Sequence, residues 1–229
     1  MSRPAWILLA AAALLGAQSR VMTQGAHRME ITLERMDANG SWRSVDPALV
    51  LSQDDRVRFR FRTNFKGYLY VTNQASSGAY EQLFPSIEAG RDNRIEGNKE
   101  YQVPAGQNRF RISGPPGYEI VYWLVSPVRL SESEPGFRPL PPDYRSAKPL
   151  QLIPRCDDTV LKARGDCLDS SAGPKLIPRG DQMTPRELLE QSQQGSGDLM
   201  VMKQQNKSVI ASTEPLSGPV IYQFRVAHK

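Results

Sequence analysis

The sequence predicts a mainly β fold: an antiparallel β-sandwich, immunoglobulin-like or jelly-roll-like, with a Pro-rich, disulfide-containing insertion and one or two short helices. Three observations carry this. Of the 18 aromatic residues, 13 lie between Trp42 and Trp123, where apolar and polar residues alternate with period two. Turn-forming clusters interrupt that alternation every few residues without an intervening helical pattern. After Pro127 the character changes, and nine of the 18 prolines fall between Pro135 and Pro185.

The elements follow in order. Met29, Ile31 and Leu33 alternate with Glu30, Thr32 and Glu34. Asp37-Ala-Asn-Gly40 then supplies a turn whose Asn-Gly pair tolerates positive φ, and Ser41 to Val45 returns as the partner strand. Arg56 to Arg62 is the clearest strand, with Val57, Phe59 and Phe61 on one face and arginines on the other. Further strands are expected at Tyr68 to Thr72, Tyr80 to Phe84, Glu100 to Val103 and Arg109 to Ile112. Tyr118 to Val125 is almost wholly apolar, as a strand covered on both faces should be. Turns are expected at Asn64 to Gly67, Ser76 to Gly78, Pro104 to Gly106 and Gly114 to Gly117.

These strands define a sandwich over residues 28–130. Residues 131–183 form a Pro-rich connector with a disulfide loop, extended over 131–150 because proline stiffens the chain and blocks ladders. In 184–229, Thr184-Pro-Arg-Glu187 is a capping box opening a short helix to about Gln193. Strands follow at Leu199 to Met202, Ser208 to Ala211 and Pro219 to Val226, the last burying Val220, Tyr222, Phe224 and Val226 and expected to complete the same body.

The first 19 residues read as a secretory signal: Arg3, an apolar run from Ala5 to Leu15, then Gly16, Ala17 and Ser19. The run is too short to span a bilayer as a helix, which needs about 20 residues. Cleavage is expected after Ala17 or Ser19, with no cysteine nearby for lipid attachment, so the expected location is periplasmic or secreted. The composition, 23% charged and 39% apolar over 229 residues, excludes wholesale disorder, collagen and a polytopic membrane protein. A net charge of +5, from 29 basic and 24 acidic residues, is a mild bias and far from a nucleic-acid tail.

Asp55 to Phe61, Gly67 to Val71, Leu83-Phe-Pro85, Asn93-Arg-Ile95, Tyr101 to Pro104 and Gly114 to Glu119 form a set of short motifs, taken together and in order. On these residues the sequence from about Ile31 to Leu130, less than half of the chain, resembles the bacterial domain of unknown function 4384 family. The resemblance implies a β-rich, non-catalytic module and transfers no active-site residue. Members are often appended to protease-like or kinase-like domains, and no such domain is evident in this sequence.

Cys156 and Cys167 lie too far apart for CxxC and have no histidine nearby, so in an exported chain the pair reads as a structural disulfide. Closing that loop contributes about 3 kcal/mol in the chain-entropy description. Asp157, Asp158, Asp166 and Asp169 do not follow the order of a calcium loop and read as solvated loop acids. The most suggestive surface is Arg56, Arg58, Arg60 and Arg62, extended by Arg109 and Arg111. Guanidinium groups bind carboxylates and phosphates bidentately, so one reading is a docking surface for an anionic partner. The other is a solvated sheet face balanced by cross-strand Glu or Asp. Export argues against nucleic acid and for a protein or an anionic envelope polymer.

Tyr68, Tyr70, Tyr118, Tyr122 and Trp123 could build a sugar-stacking platform, but aromatic strands are more often core. His27 and His228 lie at opposite ends of the chain, and neither GxSxG nor HExxH occurs. No enzyme activity, cofactor or metal is expected. The functional expectation is an exported, non-catalytic module that binds a protein or an anionic cell-envelope component; the alternative is a carbohydrate-binding module or a weak carbohydrate-active hydrolase.

Overall fold

Alternation places the first layer. In a computed structural model that describes residues 26–85, 92–106, 108–129, 153–177 and 199–229, β1 (Arg28–Met36) turns Met29, Ile31 and Leu33 inward at 0–1% exposure. Next to it, β3 (Arg56–Thr63) turns Val57, Phe59 and Phe61 inward at 0–2%. Glu30 faces Arg62 and Glu34 faces Arg58 on the opposite side of the pair. The short β2 (Trp42–Ser44) folds back on β1 across the predicted Asp37–Gly40 turn.

β4 (Gly67–Gln74), β5 (Tyr80–Phe84) and β6 (Arg94–Ile95) begin the second layer, and β7 (Glu100–Val103) and β8 (Phe110–Arg111) return to the first. β9 (Gly117–Ser126) pairs with β4. Gly67 is required there, because a Cβ at that position would collide with the carbonyl oxygen of Ser126. β10 (Gly173–Leu176), β11 (Leu199–Gln204), β12 (Lys207–Ser212) and β13 (Val220–His228) complete both layers. The seven-stranded sheet runs β11-β12-β1-β3-β7, with β2 on β1 and β8 on β3. The six-stranded sheet runs β10-β13-β9-β4-β5, with β6 on β4. Among the described residues every pairing between these strands is antiparallel, an isolated parallel bridge joins Leu51 to His228, and β13 lies along β9 for its whole length.

Between the layers Trp123 is fully buried, with Phe59 edge-on at 5.5 Å, Phe61 stacked at 5.2 Å and Tyr222 parallel at 6.4 Å. Fully burying one such side chain is worth about 1.5–3 kcal/mol, so this cluster is a main source of cohesion. A second apolar cluster lies on the outer side of the six-stranded sheet. Tyr118, Ile120, Tyr122 and Leu124 of β9 meet Ile221 and Ala227 of β13 under Val50, Cys167 and Ala172. That covering is why β9 reads as an unbroken apolar run. It also makes β13 buried on both faces, where the sequence pattern marked only its even-numbered residues.

The cysteines form the expected disulfide, with Cα atoms 4.8 Å apart. Inside its loop lies α1 (Asp158–Arg164), a helix the sequence pattern did not indicate. Asp157 caps its start by accepting from the N–H groups of Thr159 and Val160, and Gly165 ends it at φ 75°. The helix buries no residue, so it leaves no apolar periodicity to read. The secretory segment 1–19, the connector 131–150 and the capping-box helix 184–193 lie outside the described residues.

Candidate functional site

β3 is the centre of the charged surface because it is flanked on both sides. β1 borders it along one edge, and β7 and then β8 border the other. Its arginines point out because the alternate positions are committed to the core. Arg58 donates through Nε to Glu34 Oε2 at 2.6 Å and through Nη1 to Gln102 Oε1 at 2.9 Å, and its guanidinium lies 4.1 Å above the Trp42 ring. Arg60 shares the same Glu34 oxygen at 3.3 Å and reaches Glu100 at 3.4 Å. Arg62 donates to Glu30 Oε2 at 2.8 Å, Arg28 binds Glu30 Oε1 at 2.7 Å, and Lys207 stands 3.8 Å away. Burial pushes the Glu30 carboxyl up, but Arg62, Arg28 and Lys207 outweigh it and hold the carboxyl below its ordinary range. Arg58, Arg60 and Arg62 are therefore not a bare cationic row: cross-strand carboxylates balance them.

The other end of β3 is built differently. β8 sets Arg111 directly opposite Arg56, a cation against a cation. Arg111 binds Asp54 at 2.7 Å. Arg56 and Arg109 are exposed and have no carboxylate partner among the described residues. The segment leading to Arg109 is held by Gln102, whose Nε2 donates to the carbonyl of Gly106 at 2.6 Å and lies 3.2 Å from those of Pro104 and Asn108.

Two polar groups were not legible as sites. Glu119 of β9 and His228 of β13 meet at one end of the sandwich, His228 Nε2 lying 3.4 Å from Glu119 Oε1 with the imidazole fully buried. Asn73 donates to the same carboxylate at 2.8 Å and the Ser76 N–H at 3.1 Å. Burial raises the Glu119 pKa, but His228, Asn73 and Ser76 together bring it below the ordinary value. Ser76 Oγ has no hydrogen-bond partner among the described residues, so no Ser–His hydrogen bond forms. His27 lies elsewhere, stacked on Phe65 at 4.0 Å and accepting at Nδ1 from the Leu216 N–H. Among the described residues, no three His, Cys, Asp or Glu side chains are grouped to hold a metal ion, and no helix is long and apolar enough to cross a membrane.

Asp169 corrects the reading of solvated loop acids. It is 4% exposed and accepts from the Tyr118 hydroxyl and from the N–H groups of Arg155 and Ser171. Burial and then the Asp169 carboxylate push the Tyr118 hydroxyl pKa up. This hub fastens the disulfide segment to the six-stranded sheet. Of the aromatic row, Trp123, Tyr118 and Tyr122 are buried, while Tyr68 and Tyr70 are half-buried.

The molecule is thus a two-layer antiparallel sandwich with one charged outer face and one clamped apolar outer face. Residues 50–129 match the family model described as Domain of unknown function (DUF4384). The match covers about a third of the chain, from the segment before β3 through β9, and supports the resemblance from residue 50 rather than from about residue 31. No curated protein and no solved structure matches this chain. Of the strands outside the match, β1 and β13 pair with β3 and β9 of the matched segment.

Proposed function

We propose that this protein is an exported, non-catalytic β-sandwich module that binds a protein or an anionic cell-envelope component through the outer face of its seven-stranded sheet. The observation that carries the reading is the charge on that face. Arg28, Arg56, Arg58, Arg60, Arg62 and Lys207 oppose only Glu30, Glu34 and Glu100 across β12, β1, β3 and β7. Cations in excess on a sheet face exposed at Arg56 and Arg62 attract anionic surfaces over roughly a Debye length, about 8–10 Å at moderate salt. Export rests on the N-terminal pattern and is supported by the Cys156–Cys167 disulfide, a bond that persists in oxidising compartments. The burial of Trp123, Tyr118 and Tyr122 weakens the sugar-platform alternative.

The test is co-sedimentation of the processed chain with isolated cell envelopes across a salt series. Retention at low salt and release at high salt is expected; no retention, or retention indifferent to salt, overturns the reading. Export is checked by mass spectrometry of protein from a native-type host, which should show a start at Gln18 or Arg20. Intact Met1 on cytoplasmic protein would refute it.

A further inference from the structure

Within the charged face, the end formed by β3 and β8 differs from the rest in being under-neutralised. Arg56 and Arg111 are cross-strand neighbours, a pairing of like charges that costs stability. Arg109, exposed, stands one residue before β8. Among the described residues Asp54 is the one carboxylate at ion-pair distance from this group, and it binds Arg111. The opposite end of β3 is otherwise arranged: Glu30, Glu34 and Glu100 are distributed among Arg28, Arg58, Arg60, Arg62 and Lys207.

Gln102 Nε2 reaches the carbonyls of Gly106 and Asn108 ahead of Arg109, and Arg58 holds Gln102 in turn. The three guanidinium groups are therefore displayed from a supported backbone. Cross-strand neighbours such as Arg56 and Arg111 lie about 4.5–5.5 Å apart, and Arg109 precedes Arg111 by two residues. That spacing suits a ligand carrying several anionic groups in succession, each able to take a bidentate guanidinium contact. Among the described residues the large exposed apolar side chains, Val128, Ile153, Leu161, Leu176 and Met200, belong to other strands, to α1 and to other loops. A protein interface is expected to have an apolar centre, which this corner lacks.

We propose that Arg56, Arg109 and Arg111 form a binding site for a polyanion, a polymer bearing repeated phosphate or carboxylate groups. The inference rests on the reading of this face as an anion-docking surface and narrows it to one corner and one ligand chemistry. Gln102 acts as a positioning residue for the corner.

The test uses the processed full chain and two labelled probes, sodium polyphosphate and poly-L-glutamate, followed by fluorescence anisotropy. Wild-type protein should bind at least one at low salt and lose affinity as salt rises; the preferred probe separates the phosphate from the carboxylate source. Arg56→Gln/Arg109→Gln/Arg111→Gln should weaken binding by about tenfold or more, as expected for charge-assisted contacts. Arg60→Gln/Arg62→Gln, at the balanced end of the same strand, should weaken it by less than about threefold, because Glu30, Glu34 and Glu100 neutralise that end, whereas Asp54 is the one described carboxylate serving the three cations of the corner. Arg56→Gln alone breaks no ion pair, so it must weaken binding even if the triple variant folds poorly.

Equal losses from the two multiple variants would overturn the corner while leaving the wider face as the docking surface. Wild-type protein that binds neither polymer, yet is retained by envelopes in a salt-reversible way, would overturn the polyanion and point to a protein partner. Failure in both assays would overturn this inference and the function it narrows.

Discussion

The two sheets turn opposite kinds of surface outward. The seven-stranded sheet presents arginines and glutamates in cross-strand register and is left uncovered at Arg56 and Arg62. The six-stranded sheet presents Tyr118, Ile120, Tyr122, Leu124 and Ile221, and a disulfide-closed segment packs over them. The difference teaches where cohesion has to come from. A charged outer face satisfies itself locally by cross-strand pairing, each pair worth little. An apolar outer face needs a cover, and here the cover comes from some 50 residues further along the chain, from Tyr118 to Asp169.

If that comparison holds, the largest effect should follow from releasing the cover. Asp169→Ala leaves the Tyr118 hydroxyl and the N–H groups of Arg155 and Ser171 without their acceptor. Breaking a buried hydrogen-bonded charge network costs about 3–5 kcal/mol, to be read from urea unfolding. A cost below about 1 kcal/mol, the exposed-pair range, would erase the distinction between the two faces. Next comes Cys156→Ser/Cys167→Ser, which frees the loop across the covered face and should cost about 2–3 kcal/mol through the unfolded chain. Thiol titration of the unreduced, denatured wild type should find no free thiol; two alkylated cysteines would contradict the bridge.

Two pH effects should follow, in separate windows. His27 has its pKa lowered by burial, and its Nδ1 accepts the Leu216 N–H only when unprotonated. The unfolded chain therefore takes up this proton more readily. Stability is complete above about pH 6.5 and is lost as pH falls through that value toward the depressed one. Glu119 also has a lowered pKa, so its contribution is present above its unfolded value of about 4.5 and is lost as pH falls through the folded value. Thermal melts from pH 8 to 3 should show both declines, with His27→Asn removing the upper one and Glu119→Gln reducing the lower, to which Glu30 and Asp169 also contribute. An upper decline that survives His27→Asn assigns it to another group.

Much of the fold was legible because strand alternation is local. Val57, Phe59 and Phe61 announced both the strand and its buried face, and the apolar run from Tyr118 to Val125 announced a strand covered twice. The covering element was not legible. α1 buries nothing, so it carries no period, and only its Asp157 and Gly165 caps could have marked it. Asp169 looked like its neighbouring acids because burial is a tertiary property. For the charged face, the sequence showed the cations but not their register. Nothing local distinguishes Arg58, which meets Glu34 and Gln102, from Arg56, which meets Arg111. Glu119 and His228 lie far apart in the chain, and only the pairing of β9 with β13 brings them together.

That register supplies the smallest and most discriminating measurement, a contrast within one strand. Arg58→Gln removes the Glu34 hydrogen bond, the Gln102 contact and the stacking on Trp42, from a side chain only 13% exposed. A half-buried charged hydrogen bond together with a cation–π contact should be worth about 1–2 kcal/mol. Arg56→Gln removes no ion pair and relieves the opposition to Arg111, so its effect should lie within about 0.5 kcal/mol of zero and toward greater stability. Chemical unfolding of the two single variants, side by side at low and high salt, reads the difference. Added salt should shrink whatever gain Arg56→Gln shows, since screening already removes the repulsion in the wild type. The same salt should leave most of the Arg58→Gln loss in place, because that pair is shielded from solvent. Equal and negligible losses would mean that the Arg58 network is as weak as an exposed pair, and the face would then be uniform from one end of β3 to the other.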